Sequence, residues 1–244
     1  MLKKQEQLFD RFKKFRAYKC FVEDGIFDEE EWNKQAIKIL YVLKDVNCWK
    51  KNIDGTCACI HPGKEKLNLC EYLLSEESPT YWKTWNNIVR WTQAIRDGGE
   101  YQRYVSKADK TYCLKTIAVL NIKKEAGGAI ANTDEIQEYG KNDAFFIKEQ
   151  IELYQPDIIV CCGRGKGKNA DILREYVFKD IEKTDVTING YDCFLVKQFD
   201  NKILPVVSFR HPQMWGGHSA FEKAYKDIHT IANELRNNKL LKLL

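Results

Sequence analysis

The chain has 244 residues, 44% of them hydrophobic and 30% charged, the balance of one large or two small globular domains rather than of a disordered segment. No apolar run approaches the length that crosses a bilayer, and the charged, amphipathic stretch Met1 to Arg16 has neither the apolar core nor the cleavage site of a secretory signal. Thirty-nine Lys and Arg against 35 Asp and Glu leave a net charge of +4, compatible with a nucleic-acid partner without demonstrating one; nine cysteines with no disulfide rhythm fit a reducing cytoplasm.

Leu8, Phe9, Phe12 and Phe15 gather on one face of a predicted N-terminal helix. Asp28 reads as an N-cap before a short acidic turn that ends near Trp32. From Ile37 to Leu43 (IKILYVL) the apolar run is nearly unbroken, the pattern of a strand buried on both faces. The stretch from Lys44 to Lys66 is irregular and rich in Cys, Gly, Asn and Lys, and loops of that length inside a domain tend to carry function. Ser78-Pro79 predicts a helix start, with the helix running through Trp82, Trp85, Ile88, Val89, Trp91 and Ile95 to Gly98-Gly99. The helical spacing of its three tryptophans assigns them to the core rather than to a base-stacking platform.

Thr116 to Leu120 reads as a second buried strand ending in Asn121, and Thr133 to Tyr154 as mostly helix, with Phe145 and Phe146 in the core. Asp157 to Cys162 is a third strand, in which Cys161 and Cys162 read as packing residues. A helix from about Asn169 to Lys179 precedes a hairpin, with Asn189-Gly190 as the turn between Val186-Ile188 and Tyr191-Val196. Ile203 to Phe209 is the last strand, a helix from His218 to about Asn237 follows, and Lys239 to Leu244 reads as a fraying end. Buried strands alternating with helices predict a layered α/β fold with a largely parallel sheet, in one domain with an N-terminal helical addition over residues 1–35.

In such sheets ligands bind beyond the carboxyl ends of the strands. Four segments lie there: Lys44-Asp45-Val46-Asn47, Asn121-Ile122-Lys123-Lys124, Gly163-Arg164-Gly165-Lys166 and Arg210-His211-Pro212-Gln213. A carboxylate can orient water or stabilise a cation, an amide can read the edge of a planar ligand, and an imidazole can donate to an oxygen gaining negative charge. Hydrolysis of an N-glycosidic bond needs that set, because the sugar becomes cationic while the departing base becomes anionic.

Three segments in order resemble the uracil-DNA glycosylase superfamily. Leu43-Lys44-Asp45-Val46 after a buried strand is similar to its first motif, Val119-Leu120-Asn121 to its strand-end asparagine, and Ser208-Phe209-Arg210-His211-Pro212 to its second motif. The resemblance covers about Ile37 to Ile231. It implies a three-layer α/β/α fold around a central, largely parallel four-stranded sheet. Asp45 then positions the attacking water and stabilises the sugar cation, Asn121 reads the Watson–Crick edge, and His211 stabilises the departing base. The loop from Pro212 to Gly217 enters DNA with Met214 or Trp215 as the wedge, beside Gln213. Lys123, Lys124, Arg164, Lys166, Lys168 and Arg210 are the implied phosphate contacts. Trp49, after the first motif, is placed to stack on the flipped base.

The chain departs from the family pattern in several places. Leu43 and Val46 stand where the first motif usually has glycine and proline, and Gln213 and Met214 replace the usual serine and proline after His-Pro. Asn47 stands where uracil-specific members carry an aromatic that closes the pocket against groups on C5. A pocket tolerant of 5-substituted pyrimidines follows, as in the branch that attacks modified cytosine in phage DNA.

Cys48, Cys57, Cys59, His61 and Cys70 invite an iron–sulfur or zinc reading, but CxxC spacing is absent and reduced thiols are expected, so no metal or other cofactor is assigned. Gly163 to Lys168 lacks the spacer and the Ser or Thr of a phosphate loop, leaving a basic turn or a solvated loop. Asp45 can equally cap a turn and Asn121 can equally bond its own loop. The leading expectation is a monomeric, cytoplasmic, monofunctional DNA glycosylase acting in repair or antiviral defence, with DNA and no membrane as partner. A non-catalytic DNA- or nucleotide-binding module on the same fold is the alternative, and an unrelated α/β domain the third.

Overall fold

The computed structural model describes residues 1–16, 18, 20–47, 66–78, 81–127, 131–198 and 202–242. The first amphipathic segment forms helix α1 (Leu2–Arg16), which buries Leu8, Phe9 and Phe12. Two short strands follow, β1 (Phe21–Glu23) and β2 (Gly25–Ile26). Asp28 then caps α2 (Glu29–Asn33) by accepting from the Glu30 and Glu31 N–H groups, as its position before an acidic turn predicts. The apolar run gives β3 (Ile39–Leu43), buried at every residue.

Next come β4 (Lys66–Asn68), α3 (Leu69–Leu74), α4 (Lys83–Arg96), α5 (Lys107–Lys115) and β5 (Ala118–Asn121). The helix expected to start at Ser78-Pro79 begins instead at Lys83, with Trp82 as an N-cap that makes no side-chain bond. Burial of Trp85 and Trp91 against the sheet sets that start more strongly than a local cap does.

The stretch expected as one long helix is two, α6 (Thr133–Asn142) and α7 (Ala144–Tyr154), broken at the fully buried Asp143. Phe146 packs in the core, stacked on Phe12 at 4.5 Å, but Phe145 is exposed, off the buried stripe formed by Phe146, Ile147, Gln150 and Ile151. Strand β6 (Ile158–Cys162) leads to α8 (Asn169–Ile172) and a π-helical turn over Leu173–Val177. The hairpin β7 (Lys183–Ile188) and β8 (Tyr191–Lys197) closes through Asn189 and Gly190, both at positive φ, the backbone such a turn demands. Strand β9 (Ile203–Phe209) and α9 (Gly217–Asn237) complete the fold.

The main sheet has seven strands in the order β2-β5-β3-β6-β9-β8-β7, wider than the expected four. Pairs β5–β3, β3–β6 and β6–β9 are parallel, whereas β2 and the β7–β8 hairpin join antiparallel at the two sides. Strands β1 and β4 form a separate two-stranded parallel sheet. Alternate residues of the main sheet feed two cores. Tyr41, Val119, Val160 and Phe209 face α3, α4 and α9, while Leu40, Leu120, Ile159 and Val206 face α6, α7 and α8. Helix α1 lies over α7, so the N-terminal helical segment packs on the body of the fold. No helix among the described residues is long and apolar enough to cross a membrane.

Candidate functional site

Parallel register brings the strand ends to one edge. Leu43 is level with Asn121, Val42 with Cys161, and Cys162 with Phe209. Asp45 and His211 each lie two residues beyond that level, on strands separated only by β6. The strands that carry them, β3 and β9, are two strand spacings apart, about 10 Å at the usual spacing.

Backbone bonds continue past the strand ends and fix the Asp45 segment. The Ile122 and Lys123 N–H groups donate to the Leu43 and Lys44 carbonyls, and the Gly127 N–H donates to the Val46 carbonyl. The half-buried Asp45 carboxylate accepts no hydrogen bond among the described residues. Burial pushes its pKa above the ordinary carboxylate range, while Lys123 and Lys44 pull it down and Glu135 pushes it up.

His211 is also half-buried, and its Nδ1 accepts the Gln213 N–H at 3.2 Å. Burial, reinforced by the Lys44 ammonium, pushes its pKa down to about 4. The ring is therefore neutral at physiological pH and carries its proton on Nε2, which has no partner among the described residues. The loop behind it is pinned by the buried Asn87, whose Nδ2 donates to the Pro212 carbonyl at 2.7 Å. Met214 packs on the core beneath, and Trp215 and Gln213 are exposed.

Asn121 is placed differently from its expected role. Its side chain is fully buried, and its Nδ2 and backbone N–H both donate to Asp24 Oδ2, at 3.0 and 2.6 Å. Its Nδ2 is thereby held by Asp24, while its Oδ1 is buried with no hydrogen-bond partner among the described residues. Lys124, expected to contact phosphate, is likewise fully buried and ion-paired with Asp24 at 2.6 Å, with Gln150 donating to the same carboxylate at 2.8 Å. Gln150 and Gln5 meet at the Tyr154 hydroxyl, which ties α1 and α7 to the network.

Other expected phosphate contacts are also engaged. Lys123 is buried, paired with Glu135 at 2.6 Å and set over the Tyr139 ring. Arg210 bonds the Tyr191 hydroxyl at 2.7 Å and Asp227 at 3.0 Å, and Lys168 bonds Thr133. Arg164 is exposed but lies over the Tyr191 ring and donates to the Gly190 carbonyl, which leaves Lys166 exposed at the tip of that loop. Asn47 is exposed, bridged through its backbone to Gly127.

Asn169 was not singled out from the sequence. It is buried, and its Nδ2 donates to the Val42 and Cys162 carbonyls at 3.0 and 2.9 Å, clasping β3 and β6 at their carboxyl ends. A polar residue opening a helix after a strand was its only signal, and that pattern suggests nothing more than a cap.

Trp49, Cys48, Cys57, Cys59 and His61 lie outside the described residues. Cys70 is buried in α3, its thiol facing the Gly25 carbonyl at 3.7 Å, and burial pushes its pKa well up. The described cysteines form no disulfide, and no cluster of His, Cys, Asp and Glu among the described residues is arranged to hold a metal ion. Comparison with protein-family models finds no matching family, and comparison with curated proteins finds no match.

Proposed function

We propose that the protein is a monofunctional DNA glycosylase with a uracil-DNA glycosylase-like site, which flips a modified or deaminated pyrimidine out of DNA and hydrolyses its N-glycosidic bond. The observation that carries this reading is the presence, at one sheet edge, of a carboxylate at Asp45 and a neutral imidazole Nε2–H at His211, neither with a hydrogen-bond partner among the described residues. A desolvated carboxylate is a stronger base and a stronger partner for positive charge than a hydrated one. A neutral N–H donor stabilises an oxygen without having to give up a proton.

In the proposed reaction the bond between C1′ and N1 breaks with its electron pair leaving on the base. His211 Nε2–H donates to the base oxygen as it gains charge, and Asp45 stabilises the cationic sugar and orients water onto C1′. The water proton passes to the carboxylate, and the released base takes a proton from solvent. Trp215 fills the space left by the nucleotide, offsetting an unstacking cost of a few kcal/mol. Asn47, small and exposed beside Asp45, favours 5-substituted pyrimidines such as modified cytosine, a substrate that fits repair or defence against modified phage DNA.

Asn121 is not given the base-reading role in this scheme, because it is fully buried with its Nδ2 held by Asp24. That same engagement favours the second reading, a DNA-binding module without catalysis. Duplexes containing uracil, 5-hydroxymethylcytosine or its glucosylated form decide between them when abasic sites are scored by alkaline cleavage. Product that disappears in Asp45→Ala and His211→Ala supports the glycosylase. Specific binding without abasic product on any duplex supports the module. The chemistry needs no Schiff base, and borohydride trapping should yield none.

A further inference from the structure

We infer that the surface from Trp215 to Tyr104 is a preformed binding strip for single-stranded nucleic acid, with bases on its exposed rings and phosphates on its cations. The inference rests on the reading of DNA as the partner, and adds to it the strandedness of the segment beside the site.

Trp215 is 86% exposed and has the Lys83 ammonium 5.3 Å from its ring centroid. Tyr104 is 78% exposed and has the Arg103 guanidinium 5.8 Å from its own. Between them in the chain of contacts stands His218, joined to Trp215 through Gly216 and Gly217. Its ring lies 5.9 Å from that of Tyr104, and its Nδ1 shares a hydrogen bond with the Tyr101 hydroxyl at 3.1 Å. Neither Lys83 nor Arg103 has an acidic partner among the described residues, while Glu222 nearby on α9 is held by Lys226 at 2.7 Å.

Large exposed rings flanked by cations without an acidic partner suit a ligand with π-faces and a regular negative charge. An apolar protein partner would leave these cations without a counter-charge. Away from a flipped nucleotide, a duplex would keep its bases stacked on one another and out of reach of the rings.

The backbone flanking the strip is already hydrogen-bonded to the body of the fold. Asn87 grips the Pro212 carbonyl, and its Oδ1 accepts from Arg90 at 2.9 Å. Arg90 in turn donates to the Gln102 and Arg103 carbonyls at 2.8 and 2.7 Å, with its guanidinium over the Tyr101 and Phe221 rings. One buried relay thus locks the loop that carries His211 and Trp215 to the segment that carries Arg103 and Tyr104. Holding both in the bound geometry removes ordering cost from binding.

The test is fluorescence anisotropy of the whole protein with labelled oligo(dT), with an abasic-spacer chain of equal length and charge, and with a blunt duplex. Oligo(dT) should bind on the order of ten-fold more tightly than the spacer chain, and Tyr104→Ala and Trp215→Ala should each lose about ten-fold. Phe145→Ala, an equally exposed ring on the other face of the sheet, should change nothing. Equal binding of the spacer chain, equal binding of the blunt duplex, or an unaffected Tyr104→Ala would each overturn the strip. The excision assay reads the glycosylase separately. Excision without base-dependent binding rejects the strip alone, and base-dependent binding without excision rejects the glycosylase alone.

Discussion

The carboxylate of Asp45 rests on the α-carbon of Gly127, so closely that a β-carbon there would lie 1.8 Å from Oδ2. Any side chain at residue 127 must push the carboxylate aside. The glycine is needed for this approach alone, since its φ is not in the left-handed region. Gly127→Ala should therefore displace Asp45 with little effect on the rest of the fold. Misplacement by about 1 Å can cost about 10²-fold in rate, and a loss of that order in excision, with DNA affinity retained, is expected. Wild-type turnover in Gly127→Ala would show that the position of the carboxylate does not matter.

His211 should titrate far below an ordinary histidine. Protonation would set a second N–H against that of Gln213 and a charge beside Lys44. The folded ring thus stays neutral to about pH 4, whereas the unfolded chain protonates near 6.5. Between those values the unfolded state binds more protons, so this group's contribution to stability falls as pH drops from 6.5 towards 4. Nitrogen-15 spectra at about pH 5 should show the neutral Nε2–H tautomer. Lys44→Met should raise the pKa only in part, because burial is the larger cause. A midpoint near the ordinary value in the wild type would contradict this.

Asp45 should be a site where stability is given up for chemistry. Burial raises its pKa in the folded state, so folding is penalised once pH climbs through that raised value, and the penalty is absent in acid. Asp45→Asn keeps the shape and removes the charge. At neutral pH it should melt at a higher temperature than wild type while excision falls by about 10²-fold or more. A lower melting temperature at neutral pH would mean the carboxylate has a stabilising partner.

Lys124 and Asp24 form a fully buried ion pair, and burial lowers the Lys124 pKa while Asp24 opposes the shift. Lys124→Met strands the carboxylate in the core, a change that costs about 3–5 kcal/mol. For a chain of this length that is roughly 6–20 °C in Tm. Because Asp24 also accepts from Asn121 and Gln150, Asp24→Leu combined with Lys124→Met should recover only part of the loss. Thermal unfolding of the two variants beside the wild type measures this, and an unchanged Tm for Lys124→Met would rule out the pair as a structural element.

The long strands β3, β6 and β9 were legible because strands buried on both faces have unbroken apolar runs, and the Asn189-Gly190 turn because few other residues tolerate its backbone. The shared edge of Asp45 and His211 followed from the alternation of strands and helices. The fate of Asn121 did not, because its partner Asp24 is 97 residues away in a segment with no strong periodicity. Strands β1, β2 and β4 are too short to show a period, and they exist through pairing with distant chain. The placement of Lys124 was hidden for a related reason. A lysine beside a strand end looks the same in sequence whether it faces water, as Lys166 does, or a buried aspartate, as Lys124 does.

The span of 100 residues between Asp24 and Lys124 also bears on how the molecule is made. Neither charge can shed its water until the other arrives, so this corner of the core must dehydrate late, after the middle of the chain has been synthesised and docked. During translation Asp24 waits, hydrated and unpaired, for a lysine the ribosome has yet to produce.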